Sequence, residues 1–284
     1  MDRLKVIPGG SGRRPPRLRV RGVLAAVSLM VGLCAPVAVL AEDKEPAQVQ
    51  DLPEAEVILD KMIEALGGKA ALERITNRVS KGSLEFVGQG IKASATVYES
   101  APNKMYFVME AEGLGKFERG TNGKICWENN PMQGARIMVG KEKDFLIQHA
   151  KFNKDLHWRE VYKKAQCVGI EDAEGKSCYK LVMTPIVGKR EKWYIDKATY
   201  LPVQTELTVI TNMGNFPVVA VVSDYKKVDG VMVPYRSVEK VMGMAQAMTV
   251  ESVEHNVDMP ADRFEPPEAV KALMQKEKEK NEKQ

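Results

Sequence analysis

Between Arg78 and Val257, apolar and polar residues alternate with a period of two, and this pattern limits the fold more than any other feature of the chain. Ile91, Ala93, Ala95 and Val97 alternate with Lys92, Ser94, Thr96 and Tyr98. Met105, Phe107, Met109 and Ala111 then alternate with Tyr106, Val108, Glu110 and Glu112. Neighbouring side chains of a strand point to opposite faces, so the spacing predicts a meander of half-buried antiparallel strands. Later runs include "EKWYID", "VQTELTVIT", "FPVVAVVSDYKKVDGVMVPYRSVEKVM" and "MAQAMTVESVEHNV". They bring the expected total to about ten or eleven strands.

One stretch interrupts the series. Residues 140–163, "GKEKDFLIQHAKFNKDLHWREVYK", return to helical spacing as two short helices. A helix also precedes the strands, with Val57, Ile58, Met62, Ile63 and Leu66 at three- and four-residue intervals. Gly67-Gly68 ends it, and "KAALERI" starts a second one. These elements predict an α+β chain with one domain over 54–267 and a polar lead-in over 42–53. Residues 268–284 alternate in charge and lack aromatics, which describes a solvated helix or a frayed tail.

The N-terminus reads differently. Residues 1–22 carry seven Lys or Arg against Asp2, the apolar run "VLAAVSLMVGLCAPVAVLA" follows, and then comes "EDKE". A basic start, a short apolar core and small residues before a polar segment describe a secretory signal peptide. Val39 and Ala41 fit the −3 and −1 positions, so cleavage is expected after Ala41. An uncleaved anchor is the alternative, because the run approaches the ~20 residues that span a bilayer; Pro36 and the Val-Leu-Ala ending favour cleavage. Of 42 Lys and Arg and 38 Asp and Glu, residues 1–41 hold seven and one, which leaves 35 basic against 37 acidic. The basicity belongs to the export signal, and no nucleic-acid partner is expected.

Asn122-Gly123 is a strong hairpin signal, because a type I′ turn needs positive φ at both central residues. Such a turn would pair Gly120 with Ile125 and Glu118 with Trp127, leave Cys126 on the other face, and end at Pro131. Trp127, Asn122 and Gly123 are thus expected to be architecture, with Trp127 packed inward on the same face as Ile125. Cys167 and Cys178 flank a second expected hairpin with Gly175 in a three-residue loop. Cys178 then faces Ile170, and Cys167 lies roughly 10 Å further along the strand. That separation favours free buried thiols over the alternative, a Cys167–Cys178 disulfide.

"TNGKICWENNP" resembles the Asp-Gly-Lys-x-x-Trp-x-x-x-Pro hairpin of the periplasmic outer-membrane lipoprotein-carrier family, the LolA-like proteins. "APNKMYFVM" resembles the family's Pro-Asn strand, "YKLVMTP" its Leu-Thr-Pro strand, and "VDMPADRFEPP" its closing Asp-x-x-x-Phe-x-Pro-Pro segment. The pieces occur in family order and together span 57–267. The resemblance implies a periplasmic protein with a strongly curved, unclosed antiparallel half-barrel wrapped over helices. It also implies an apolar cavity for acylated lipoprotein or lipid cargo; an envelope membrane protein is a further expected partner. The family's arginine before the proline of the Pro-Asn strand helps to fasten a helical lid; that position is Ala101.

Catalytic patterns are sparse. His149, His157 and His255 are the only histidines, and none sits at metal-ligand spacing. There is no Gly-x-Ser-x-Gly elbow, and "GLGKFERG" joins two strands and does not open a helix. A non-catalytic protein without cofactor or metal is therefore expected. Small and pliant residues at one phase of the strands point to binding. Ala93, Ala95, Met105, Phe107, Met109, Leu207, Val209, Val218, Ala220, Met244 and Met248 are the expected acyl-cavity lining, with Phe145 and Leu146 in the helices above. The other reading is a non-catalytic envelope sensor or interaction module on the same scaffold.

Overall fold

A computed structural model describes residues 52–282. Two helices open the chain, α1 (Ala55–Ala65) and α2 (Lys69–Glu73), separated by Gly67 and Gly68 with positive φ. Six strands follow: β1 (Asn77–Phe86), β2 (Ile91–Ser100), β3 (Lys104–Ala111), β4 (Gly115–Thr121), β5 (Cys126–Asn130) and β6 (Gly134–Met138). The helical insert is α3 (Gly140–His149) and α4 (Trp158–Val161). Seven more strands complete the sheet: β7 (Tyr162–Ala173), β8 (Lys176–Pro185), β9 (Glu191–Asp196), β10 (Pro202–Thr211), β11 (Gly214–Val228), β12 (Val231–Val241) and β13 (Met244–His255). Helix α5 (Glu268–Asn281) closes the chain.

The thirteen strands form one antiparallel sheet in the order β6-β5-β4-β3-β2-β1-β13-β12-β11-β10-β9-β8-β7. Each half of the meander runs outward from the central β1–β13 pair, and the insert carries the chain from one edge, β6, to the other, β7. The count exceeds the expected ten or eleven. "GARIM" supplies one strand that periodicity missed, because five residues after the Pro131 turn are too short to show alternation. Pro131 ends β5 as expected, but the ladder resumes beyond it.

The sheet curls without closing. Helix α3 packs against both β5 and β10, which lie eight positions apart in the sheet order. Laid flat, that distance would be roughly 38 Å at ~4.8 Å per strand, whereas ten helical residues extend only about 15 Å. One helix can touch both strands only if the sheet bends around it. Helices α1–α4 lie on the inner face, where Ile58, Leu59, Met62, Leu72, Trp158 and Val161 meet Leu181, Met183, Trp193 and Ile195. Helix α5 lies on the outer face.

Two turns depart from expectation. Asn122 keeps an ordinary φ, and its Oδ1 accepts from the backbone N–H of Lys124 (3.1 Å) and Ile125 (3.0 Å). The side chain thus organises a longer Asx-type loop, with only Gly123 at positive φ (91°). The register moves by two, so that Gly120 faces Trp127 and Thr121 faces Cys126. At the second hairpin, Glu174 (φ 50°) and Gly175 (φ 75°) are both left-handed, which makes a two-residue turn in place of three. Ala173 then faces Lys176, and Cys178 faces Glu171. Cys167 packs with the inner core and Cys178 with Ala173, Tyr194 and Val203 on the outer face; both thiols are free.

Gly82 occupies the bulge where the β1–β13 register shifts. A Cβ there would lie 2.0 Å from the Thr249 carbonyl oxygen and 2.9 Å from Val250 Cα. Gly82→Ala should force apart the pair that joins the two halves of the sheet, at a cost of about 1–3 kcal/mol. Urea denaturation measures this, and an unchanged midpoint would mean that the strands separate freely here.

Candidate functional site

Helix α3 is a strut across the open side of the curled sheet, tied at both ends. At its first turn, Arg136 of β6 donates from Nη1 and Nη2 to the two Glu142 carboxylate oxygens, both at 2.8 Å, and from Nη2 to Glu128 at 3.0 Å. At its last turn, Gln148 exchanges two hydrogen bonds of 2.9 Å with the Val187 backbone. His149 Nδ1 lies 2.9 Å from the Phe145 carbonyl oxygen, and Nε2 lies 3.3 Å from Glu191 of β9. Both ring nitrogens face oxygens that accept. Buried Glu191 also accepts from Tyr162 Oη (2.7 Å) and Trp193 Nε1 (3.0 Å). Burial alone would raise its pKa, but the His149 hydrogen bond, the Lys154 charge and the Tyr162 hydroxyl outweigh it and hold the carboxyl down to about 2.

Beneath the insert, between α1, α2 and the sheet, lies a partly open cavity of about 330 Å³. Its apolar wall includes Leu66, Leu72, Ile75, Trp193, Val222 and Val231. Polar groups interrupt that wall. Arg78 donates to Glu99 from Nε (2.8 Å) and Nη2 (2.6 Å). Lys154 lies over the rings of Trp193 (5.5 Å) and Tyr162 (5.9 Å). Asp155 and His255 border it as well, with His149, Lys151, Asn153 and Thr205. Among the described residues, no group of three or more His, Cys, Asp or Glu is placed to hold a metal ion, and no helix is long and apolar enough to cross a membrane.

No family model and no curated protein matches the sequence. Solved structures do match. A DUF1329 family protein from Desulfovibrio piger superposes with a TM-score of 0.53 at 15% identity, over 75% of this chain and 98% of that one. A putative outer membrane lipoprotein-sorting protein domain from Vibrio parahaemolyticus gives 0.50 at 14% identity, over 74% and 97%. A LolA superfamily protein from Nitrosomonas europaea gives 0.50 at 13% identity, over 76% and 99%. The chain has the LolA-like fold.

Within this LolA-like sheet, cross-strand register puts all eleven expected lining residues on the inner face. Ala93 pairs with Ala111, Ala95 with Met109, Val97 with Phe107, Leu84 with Met248, Leu207 with Val218 and Val209 with Phe216. Their surroundings differ. Ala93, Ala95 and Met109 are buried, packed with Leu84, Phe86 and Phe117, and Phe107 and Met248 flank them. Met105 meets Leu146 of α3, Cys126 and Met138. Leu207, Val209, Ala220 and Met244 are half-buried. None of the eleven borders the 330 Å³ cavity, which lies further along the same face. Phe145 is buried in α3, with its ring stacked on His149 at 3.9 Å.

Trp127 is buried, but on the opposite, outer face, where it packs with Tyr106, Phe264 and Val270 of α5. The first turn of α5 is therefore docked and not solvated, because Val270 is fully buried there. Ala101 precedes Pro102 at the start of the β3 segment, and in this chain Arg136–Glu142 and His149–Glu191 hold the insert. The polar cavity residues were not expected from the sequence. A signal was present: Arg78 and Glu99 fall at the inward phase of β1 and β2, in step with Leu84 and Ala95, where apolar or small residues otherwise stand.

Proposed function

We propose that the protein is an exported, periplasmic binding protein that carries acyl chains of a lipoprotein or a free lipid against the inner face of its sheet, without catalysis. The observation that carries this reading is incomplete burial at mid-sheet. Phe107, Leu207, Val209, Ala220, Met244 and Met248 stand on strands away from both edges, yet each keeps partial exposure on the face that also holds the helices. An apolar face left partly open in the concavity of a curled sheet suits a flexible chain, since each buried methylene contributes about 0.8 kcal/mol. Methionines adapt to such a chain. Residues 1–41, with the expected export signal, lie outside the described residues.

Organic extraction of the protein followed by lipid mass spectrometry should recover acyl species. Ala220→Trp, at a half-open position, should reduce uptake of a fluorescent fatty acid and leave the fold intact. If this variant and Phe107→Ala both bind as the parent does, the face is ordinary core. One observation favours the second reading, an envelope sensor or interaction module. Val219, Val221 and Val238 are half-buried on the outer face of β11 and β12, whereas α5 packs on β5 and β6. An empty protein captured with a tight membrane-protein partner would support that module.

A further inference from the structure

Arg119 of β4 is a cation on the inner face with nothing to hold it. It shares the inward phase of Phe117, and register sets it between Phe107 of β3 and Glu128 of β5. A guanidinium carries five N–H donors in a fixed fork, accepts nothing, and does not give up its proton in proteins. Among the described residues, Arg119 makes no hydrogen bond or ion pair, and its Nε is buried. Burial pushes its pKa down and the charge of Arg136 adds to this, with Glu128, Glu142 and Cys126 acting against them.

The nearby carboxylates are engaged elsewhere. Both Glu142 oxygens accept from Arg136 at 2.8 Å. Glu128 accepts from Arg136 at 3.0 Å on one oxygen and from Asn130 at 2.8 Å on the other. Arg136 therefore compensates the two acids and ties down α3, and Arg119 has no part in that task. The other neighbours of Arg119 are apolar. Phe107 stands beside it, and the Phe117–Met109–Ala95 row runs next to it across β4, β3 and β2. Arg119 and Phe107 are both half-buried, so the guanidinium lies where the charged row meets the partly open apolar face. A cation drawn from water without a partner costs stability, so its place here points to an occupant that brings acceptors.

We propose that Arg119 binds the oxyanion head of a single-chain acyl ligand, a carboxylate or a phosphate monoester, whose chain runs over Phe107 toward Met248. The inference rests on the carrier reading and narrows its cargo. A carboxylate or phosphate fills two prongs of the guanidinium fork at once and supplies the missing charge. An ester or hydroxyl offers lone pairs without the charge, and a bare hydrocarbon offers neither. Glu128 opposes the incoming charge from the next strand, but Arg136 already compensates that acid. A free fatty acid or a lysophosphatidate thus fits better than a lipoprotein, whose chains are joined through neutral esters and amides.

The test uses protein stripped of lipid and a neutral naphthylamine probe, displaced by chain-matched laurate, dodecyl phosphate and methyl laurate. At least one of the two anions should bind about tenfold more tightly than the methyl ester, as expected for hydrogen bonds to a charged partner. The tighter anion then names the head group. Arg119→Leu should bring that anion down to the level of the methyl ester and leave the ester unchanged. Arg119→Lys keeps the charge without the fork and should fall between them. Because Arg119 has no partner to lose, Arg119→Leu should keep or raise the Tm, which a structural role would not allow. Equal affinities for all three ligands, or a preference that survives Arg119→Leu, would overturn the head-group site and leave the carrier standing. A fall in Tm with equal loss of every ligand would overturn it too. If no ligand displaces the probe from the parent, the carrier reading itself fails.

Discussion

Glu191→Ala should destabilise the protein by on the order of 3–5 kcal/mol, the usual cost of breaking a buried charged pair from one side. The reason is the number of groups that would be stranded. Tyr162 Oη, Trp193 Nε1 and His149 Nε2 all converge on this one carboxylate from β7, β9 and α3. Without it, a hydroxyl and an indole N–H are left in a buried place with no acceptor, and His149 Nε2 loses its partner. The α3 end of the strut would then hang on the Gln148–Val187 pair alone. Glu191→Gln keeps the shape and one acceptor oxygen, so it should cost less.

The pH dependence follows with a definite sign. The folded-state pKa of Glu191 is depressed to about 2, below the ordinary range near 4.5. Its contribution is therefore present in full above the unfolded pKa and is lost as pH falls through the window from about 4.5 to 2. The parent should lose stability over this window by chemical denaturation, and Glu191→Ala should lose less. Equal slopes for parent and variant would show that the carboxylate is not held by these contacts.

Much of this architecture was legible in the residues, and the failures have local causes. Period-two alternation located the strands because one face is covered and the other wet over much of the sheet, as in buried Ala93 and Ala95 against exposed Lys92 and Ser94. Alternation is silent on register, and both hairpin errors arose there. At Asn122 the side chain caps the loop itself, and at Glu174 a non-glycine residue adopts positive φ. Short pieces such as "GARIM" carry too few residues for a period. The phase that marks the inner face was also readable, and the eleven residues expected to line a cavity do share that face. What it could not give is which of them are covered. Ala95 is shut in by Phe117 and Met109, whereas Ala220 is half-open, and that depends on where α3 and α1 fall after the sheet curls. The polar part of the cavity wall was readable in principle, since Arg78 and Glu99 break the apolar phase of their strands, but its place in the fold depends on the pairing of Arg78 with His255, some 180 residues away in sequence.

Trp127→Ala should cost about 3–5 kcal/mol, as for any large aromatic truncated in a packed core. The ring is 1% exposed and lies across Gly120, where even a Cβ would come within 2.7 Å of Cζ2. Tyr106 stands 5.6 Å away, tilted 42°, and Tyr98 stacks on Tyr106 at 5.7 Å. Above them, Phe264 and the fully buried Val270 anchor α5. Removing the indole takes away the floor on which α5 rests, so the loss should come with earlier proteolysis of residues 260–281. The indole N–H has no partner among the described residues. Trp127→Phe therefore forfeits no hydrogen bond and should recover most of the stability. Because the site is on the outer face, the alanine variant should bind acyl chains as the parent does at temperatures where it remains folded. A change under about 1 kcal/mol in chemical denaturation would place the ring at the surface. A selective loss of acyl binding in a variant that stays folded would mean that the two faces of the sheet are coupled through β3 to β5.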